Sequence, residues 1–344
     1  MQVRLASAAL AVSTLISGAA LAQDKTLVIN SFGGAYEEAH RSCIITPFEQ
    51  ETGASVKITT AYSADAFAQL RAQQAAPQYD VIHFSGGQEI VGAAEGLLAP
   101  IDAAKLANAG DLYDFAKANI AKGEGPAYSI AAIGLLYNSE AAPKAPTSWK
   151  DITDPAFSEH LVLTDISNGY GMLGFLMLNQ ALGGDLDTIQ PGLDAVAKLL
   201  EAGAIVVSTS PEIQQEFAQN DAWLAAYASD YAYTLRKAGL PAKFVQGSEG
   251  TPASFITANL VANRPNHDLA LKFIDMTISK SAQECFANAL RYSPTNAKAE
   301  LAADVAADMA YGEAGVKGLI RFDPKTIEAN RASWVERWNK TIAR

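Results

Sequence analysis

From Lys25 onward, short apolar runs alternate with longer stretches whose apolar residues recur at helical spacing. Leu27-Val28-Ile29-Asn30 reads as a strand, closed by Ser31-Phe32-Gly33-Gly34 and followed by a helix. Thr46-Pro47-Phe48-Glu49 has the form of a capping box with proline at the first helical position, which predicts a new helix start there; Gly53 ends it. Val56, Ile58 and Thr60 alternate as a second strand. Ala64 to Ala76 follows as a helix with Phe67 and Leu70 inward, and Asp80-Val81-Ile82-His83-Phe84 is a third strand ending in Ser85-Gly86-Gly87.

The same alternation continues through the middle of the chain. Ile133 to Asn138, Val162 to Thr164, Trp223 to Ala228 and Lys243 to Val245 read as strands; Gly171 to Leu182, Thr188 to Glu201 and Tyr231 to Ala238 read as helices. A long apolar run, Phe255 to Ala262, precedes helices at Asp268 to Ile278, Ala282 to Leu290 and Ile327 to Ile342. Strands that alternate with helices predict an α/β fold with a mostly parallel sheet. No polar linker, internal repeat or heptad run divides the chain. Segments near Gly125 to Ala131 and near Gln246 to Ser254 are instead the expected crossovers between two lobes. Lobe 1 is expected to comprise residues 23–130 plus 250–344 and lobe 2 residues 131–249, with the functional cleft between them.

The first 22 residues change the picture. Arg4 gives a positive start, Leu5 to Ile16 an apolar segment too short to span a bilayer comfortably, and Ala20-Leu21-Ala22 a small-x-small cleavage pattern before Gln23. These features predict a cleavable signal peptide in residues 1–22 and a periplasmic location. The net charge of −11 excludes a general nucleic-acid binder, because phosphate contacts need a basic surface. Cys43 and Cys285 are either a disulfide, which an oxidising compartment permits, or two buried thiols. His40, His83, His160 and His267 are scattered, and no spacing suits a metal, so no metal site is expected.

Three predicted strands end in small-residue loops that open helices: Ser31 to Tyr36, Phe84 to Gly87 and Asp165 to Gly171. Ligands gather beyond the carboxyl ends of parallel strands, where helix N-termini leave N–H groups unpaired. No loop has the phosphate-binding or dinucleotide spacing, and no G-x-S-x-G marks a hydrolase nucleophile, which leaves an exported hydrolase as the competing class without a motif. Tyr36, Tyr62, Phe84, Tyr170, Trp223, Tyr227, Tyr231 and Tyr233 are either core or the walls of an amine-binding cage. Asp165 and Asp230 are either helix caps or the acids that answer an ammonium. The candidate ligand-binding set is Phe32, Gly33, Gly34, Tyr36, Ser85, Gly86, Asp165, Asn168, Tyr170, Tyr227, Asp230 and Ser254.

Several segments, in order along the chain, carry a resemblance to a known family. They are Phe48 to Gly53, Gln78 to Val81, Pro146 to Asp151, Ser248 to Thr251, Ala270 to Ile274, Arg291 to Asn296 and Glu336 to Asn339. With these, the chain resembles the extracellular solute-binding proteins of bacterial ABC importers, in the group typified by spermidine/putrescine-binding proteins. The resemblance implies a two-lobed, type II periplasmic binding protein with two hinge crossovers. It also implies a monomer that closes on a small-molecule solute and delivers it to a membrane permease, with no catalysis and no cofactor. Positions where polyamine binders of this family place acids fall here on Ile166, Gly169 and Ile256. The expected ligand is therefore a small amine-bearing polar solute; the alternative is a carboxylate or zwitterion, amino-acid-like or opine-like.

Overall fold

A computed structural model describes residues 25–343; the expected signal segment lies outside the described residues. The chain runs β1 (Thr26–Ser31), α1 (Gly34–His40), α2 (Thr46–Thr52), β2 (Ser55–Thr60), α3 (Ser63–Ala72), β3 (Val81–Phe84), α4 (Gln88–Ala94) and α5 (Asp114–Ala121). It continues with β4 (Ala127–Asn138), β5 (Leu161–Thr164), α6 (Gly169–Ala181), α7 (Gln190–Glu201), β6 (Ile205–Val207), α8 (Ser210–Gln219), β7 (Leu224–Ala228), α9 (Ser229–Lys237) and β8 (Ala242–Val245). The last part is β9 (Thr251–Leu260), α10 (His267–Thr277), α11 (Lys280–Leu290), β10 (Ser293–Pro294), α12 (Ala303–Ala306), α13 (Gly312–Lys317), β11 (Leu319–Ile320) and α14 (Pro324–Ile342).

The main strand order is β2-β1-β3-β9-β4-β7-β5-β6. The outer pairs β1–β2, β1–β3, β5–β6 and β5–β7 are parallel, each joined through helices. The two long strands, β4 and β9, run antiparallel to each other and to their other neighbours in this order. Strand β4 belongs to both lobes: Ala127 to Ala132 pair with β9, whereas Ile133 to Tyr137 pair with β7 and Leu135 to Asn138 with β8. Gly134 sits where the lobes' strands converge. A β-carbon there would lie 2.5 Å from the Phe244 ring and 2.6 Å from the Val245 carbonyl oxygen, so no larger residue fits without displacing them.

The segment Gly125 to Ala131, expected as one of two strand-like hinge crossovers, is strand from Ala127, where it forms the first half of β4. All twelve β4 residues are buried, so the strand shows a continuous apolar run rather than the alternation of a half-exposed one. The helix start expected at Thr46 is not a start. Thr46 is itself helical (φ −60°, ψ −45°), and α1 runs into α2 through a wide π turn at Arg41–Ile45. Pro47 has no N–H for an ordinary helical bond, and a π turn just before it accommodates that loss. The Glu49 carboxylate accepts instead from the Val56 N–H at 2.7 Å and fixes the turn into β2.

Cys43, in the π turn, and Cys285, in α11, form a disulfide with Cα atoms 5.5 Å apart, resolving the open question of their state. Helix α14 spans the molecule. Its Pro324 packs beside Gly87 of the first lobe, while Trp338 meets Phe175 of the second at 5.5 Å. No helix among the described residues is long and apolar enough to cross a membrane.

Candidate functional site

The parallel β1 delivers Phe32 to the end of its strand, and Gly33 and Gly34 (φ 74° and 52°) turn the chain into α1. Positive φ at two successive positions is a geometry that glycine adopts without a side-chain clash. The turn places Tyr36 with its ring 4.8 Å from Phe32 and 6.0 Å from Tyr292. The Tyr36 hydroxyl bonds that of Tyr128, a fully buried residue of β4. Tyr62, at the N-terminus of α3, stacks on Phe32 at 6.2 Å and is 67% exposed, the one large apolar side chain so open among the described residues.

Lobe 2 supplies the facing wall from the ends of β5 and β7. Asn168 caps α6 by accepting from the N–H groups of Tyr170 (2.9 Å) and Gly171 (3.4 Å), which points the Tyr170 side chain outward from the helix start. The Tyr170 hydroxyl lies 3.2 Å from that of Tyr292, and its ring meets Tyr227 edge-on at 5.4 Å. Tyr227 bonds the Ser210 hydroxyl at 2.5 Å and packs edge-on against Tyr231 at 5.3 Å; the Tyr231 hydroxyl donates to the Ser210 carbonyl. Tyr170, Tyr227, Tyr231 and Tyr292 thus form one continuous aromatic surface across both lobes.

Asp230 lies at the start of α9 within this surface. Its residue is partly open to solvent, yet its Oδ1 is shut off from solvent and has no hydrogen-bond partner. Burial pushes its carboxyl up to about 7, partly offset by its own helix N–H and the Tyr292 hydroxyl. The charge of Asp230 in turn raises Tyr170, Tyr227, Tyr231 and Tyr292, with burial the larger cause in each case; Tyr227 reaches about 12. The tyrosines are therefore neutral hydrogen-bond donors and aromatic faces at physiological pH. Among the described residues no lysine or arginine pairs with Asp230. A buried acid without a cationic partner is costly, and the arrangement invites a cation from outside.

The structure separates the remaining candidates by where their polar groups go. Asp165 does not join Asp230: Oδ1 accepts from the Ser167 N–H (2.8 Å) and hydroxyl (2.5 Å), and Oδ2 accepts from the Trp338 indole at 3.0 Å. Asp165 thereby fastens α14 to lobe 2. At the end of β3, the Ser85 N–H donates to the Ser63 hydroxyl (2.9 Å), the Gly86 N–H donates to the Gln88 side-chain Oε1 (3.1 Å), and the Ser254 hydroxyl donates to the Ser85 backbone carbonyl. The open anion cradle expected there is closed by its own neighbours. Phe32, Gly33, Gly34, Tyr36, Asn168, Tyr170, Tyr227 and Asp230 do come together.

Tyr292, Tyr128 and Ser210 complete the cluster without having been singled out. Tyr292 lies some sixty residues beyond Asp230, in the Arg291 to Asn296 segment that carries the family resemblance, and nothing local marks it as a site residue; the positive φ of Arg291 (63°), which ends α11 and turns Tyr292 inward, is a tertiary feature. Among the described residues no group of three or more His, Cys, Asp or Glu side chains gathers as a metal site.

Residues 44–313 match the family model of the bacterial extracellular solute-binding protein. The chain belongs to this family. A gamma-aminobutyric acid-binding protein of Pseudomonas aeruginosa is 26% identical over 291 residues, covering 81% of this chain and 80% of that relative. A spermidine/putrescine-binding periplasmic protein of Salmonella typhimurium is 27% identical over 278 residues, covering 77% of this chain and 78% of the relative. Among solved structures, an ABC transporter protein of Clostridium perfringens superposes with a TM-score of 0.78 at 24% identity, covering 92% of this chain and 99% of that one. The periplasmic binding protein AgtB of Agrobacterium tumefaciens, in complex with agropinic acid, gives 0.72 at 22% identity, covering 93% and 99%. The extracellular solute-binding fold is the two-lobed type II architecture, which the strand-sharing between the two halves of the sheet embodies.

Proposed function

We propose that this protein is the periplasmic solute-binding component of an ABC importer. It would capture a small polar solute carrying one ammonium group between its lobes and deliver it to a membrane permease after export by the predicted N-terminal signal. The observation that carries this reading is the Asp230 carboxylate, with an unpartnered Oδ1 inside a wall of tyrosines and no protein cation beside it. An ammonium there gains a charge-assisted hydrogen bond and the negative faces of the surrounding rings. A single free acid favours one ammonium over two, because the second candidate, Asp165, is bonded to Ser167 and Trp338. That preference suits a zwitterionic or hydroxylated amine better than a polyamine, in keeping with a relative named for gamma-aminobutyric acid.

Isothermal titration of the mature protein with gamma-aminobutyric acid, putrescine, spermidine and simple organic acids tests the reading. Binding of a monoamine, with loss of affinity in Asp230→Asn, is the expected result. Binding of an amine-free acid with no response to Asp230→Asn would overturn it.

A further inference from the structure

Helix α9, which carries Asp230, is held from the opposite lobe by a group of charges that makes no contact with the aromatic cluster's ligand face. The Arg236 guanidinium is anchored on its own lobe, donating to the Ala242 carbonyl at the start of β8 (3.2 Å), and reaches Asp308 with its other arm at 2.6 Å. Asp308 follows α12; Val305 of that helix and Met309 just after Asp308 pack with Ala287 of α11, in the lobe built on β1. The same Asp308 oxygen accepts from Arg291 at 3.3 Å. Arg291 is fixed on α11 by donating to the Asn288 carbonyl at 2.5 Å, and its guanidinium lies over the ring of Tyr233, on α9, 4.0 Å from the centroid.

We infer that Asp308, Arg291, Arg236 and Tyr233 form an inter-lobe clasp that positions α9, and that this clasp sets the balance between open and closed lobes. Three features favour a clasp over an ordinary surface pair. Two of the contacts, Arg236–Asp308 and Arg291–Tyr233, join residues of different lobes, and one carboxylate serves two guanidiniums. Arg291 and Asp308 are also mostly shielded, with side-chain exposures of 10% and 18%, so salt screens them weakly. The clasp touches the site from both sides: Arg291 precedes Tyr292, and Tyr233 lies one turn along α9 from Asp230. Opening the lobes must break both inter-lobe contacts together, while Arg291 and Asp308 stay paired on one lobe, which makes the element two-state rather than graded. Its effect on affinity rests on the reading of Asp230 as the solute's acid; the clasp itself does not.

The test uses ligand-free protein, with nitroxide labels at Lys57→Cys in β2 and Glu201→Cys at the end of α7, both exposed and in different lobes. Pulsed-EPR distances should show a short-distance population that falls in Asp308→Asn and in Arg236→Gln, with the open-to-closed ratio rising about five- to tenfold. The double variant should shift it little further, since both remove the same inter-lobe ion pair. An unchanged distance distribution in folded variants would overturn the clasp, as would a lowered melting temperature without a distance change. Dissociation rates of gamma-aminobutyric acid and putrescine, measured by stopped flow, should rise in parallel. If neither compound binds, the proposed solute class fails, while the ligand-free distances still decide the clasp.

Discussion

Asp230→Asn should move stability and affinity in opposite directions. In the ligand-free protein the ionised carboxylate is held against burial, with its titration raised from 3.8 to about 7. Between those values the unfolded chain has lost the proton that the folded chain keeps, so this group lowers stability as pH rises from about 4 to 7. At pH 8 the penalty is complete. One pKa unit corresponds to 1.36 kcal/mol, giving a ceiling of about 4 kcal/mol, less the relief from partial solvent exposure. The neutral, nearly isosteric Asn removes that penalty, so ligand-free Asp230→Asn should melt several degrees higher at pH 8 than the native protein. For an amine solute the same change deletes the charge partner. Removing one member of a buried charged pair costs about 2–5 kcal/mol, or roughly 30-fold to several thousandfold in Kd.

The native protein supplies a second readout. Amine binding needs the carboxylate form, so apparent Kd should rise about tenfold from pH 8 to pH 6, with proton release on binding below pH 7. Calorimetry of gamma-aminobutyric acid binding in buffers of different ionisation enthalpy, together with thermal melts at pH 8, measures both effects. A variant that melts lower and binds with native affinity would refute the argument, because it would make Asp230 a structural acid.

The other predictions follow from contacts outside the cluster. Asp165→Asn should lower stability by about 1–3 kcal/mol through the loss of a charged acceptor for Trp338 and Ser167, while Kd stays within twofold; urea unfolding and titration calorimetry separate the two. Replacing Cys43 and Cys285 with alanine opens a cross-link between residues 242 apart, for which the chain-entropy limit is roughly 5 kcal/mol, and a lowered urea midpoint should show most of it. His40 and His83 are fully buried with rings 4.7 Å apart, and burial holds both below the ordinary histidine range, His40 at about 3. As pH falls below about 6.5 the unfolded chain takes up protons that the folded one refuses, so melting temperature should drop steeply between pH 6 and 4. His83→Leu should flatten that drop, measured in an Asp230→Asn background because Asp230 contributes with the opposite sign over this range.

Local chemistry was enough to read much of this molecule. Helix and strand order follow from apolar spacing, which reflects one buried face per element and needs no knowledge of the partner. The loops at Phe32 to Tyr36 and Asn168 to Tyr170 were legible because glycine and a capping Asn state their backbone geometry in the residue itself. Asp230 was legible as a candidate because an acid at a strand-to-helix junction beside tyrosines has few local uses. One local signal misled for a physical reason: Pro47 fits a helix start as well as it fits the turn after a π bulge.

What a side chain's polar atoms bond to was decided by tertiary structure. Asp165 and Asp230 look alike in their segments; Trp338, 173 positions later, bonds one, while the other keeps an Oδ1 without a partner. Ser85 and Gly86 look like an open anion cradle until Ser63 and Gln88 fill it. Tyr292 reaches the site because Arg291 takes a left-handed turn at the end of α11. Apolar periodicity reports that a residue is buried, whereas hydrogen bonding and charge pairing depend on atoms a few ångströms apart in space. The chain brings those atoms together only once both lobes are folded.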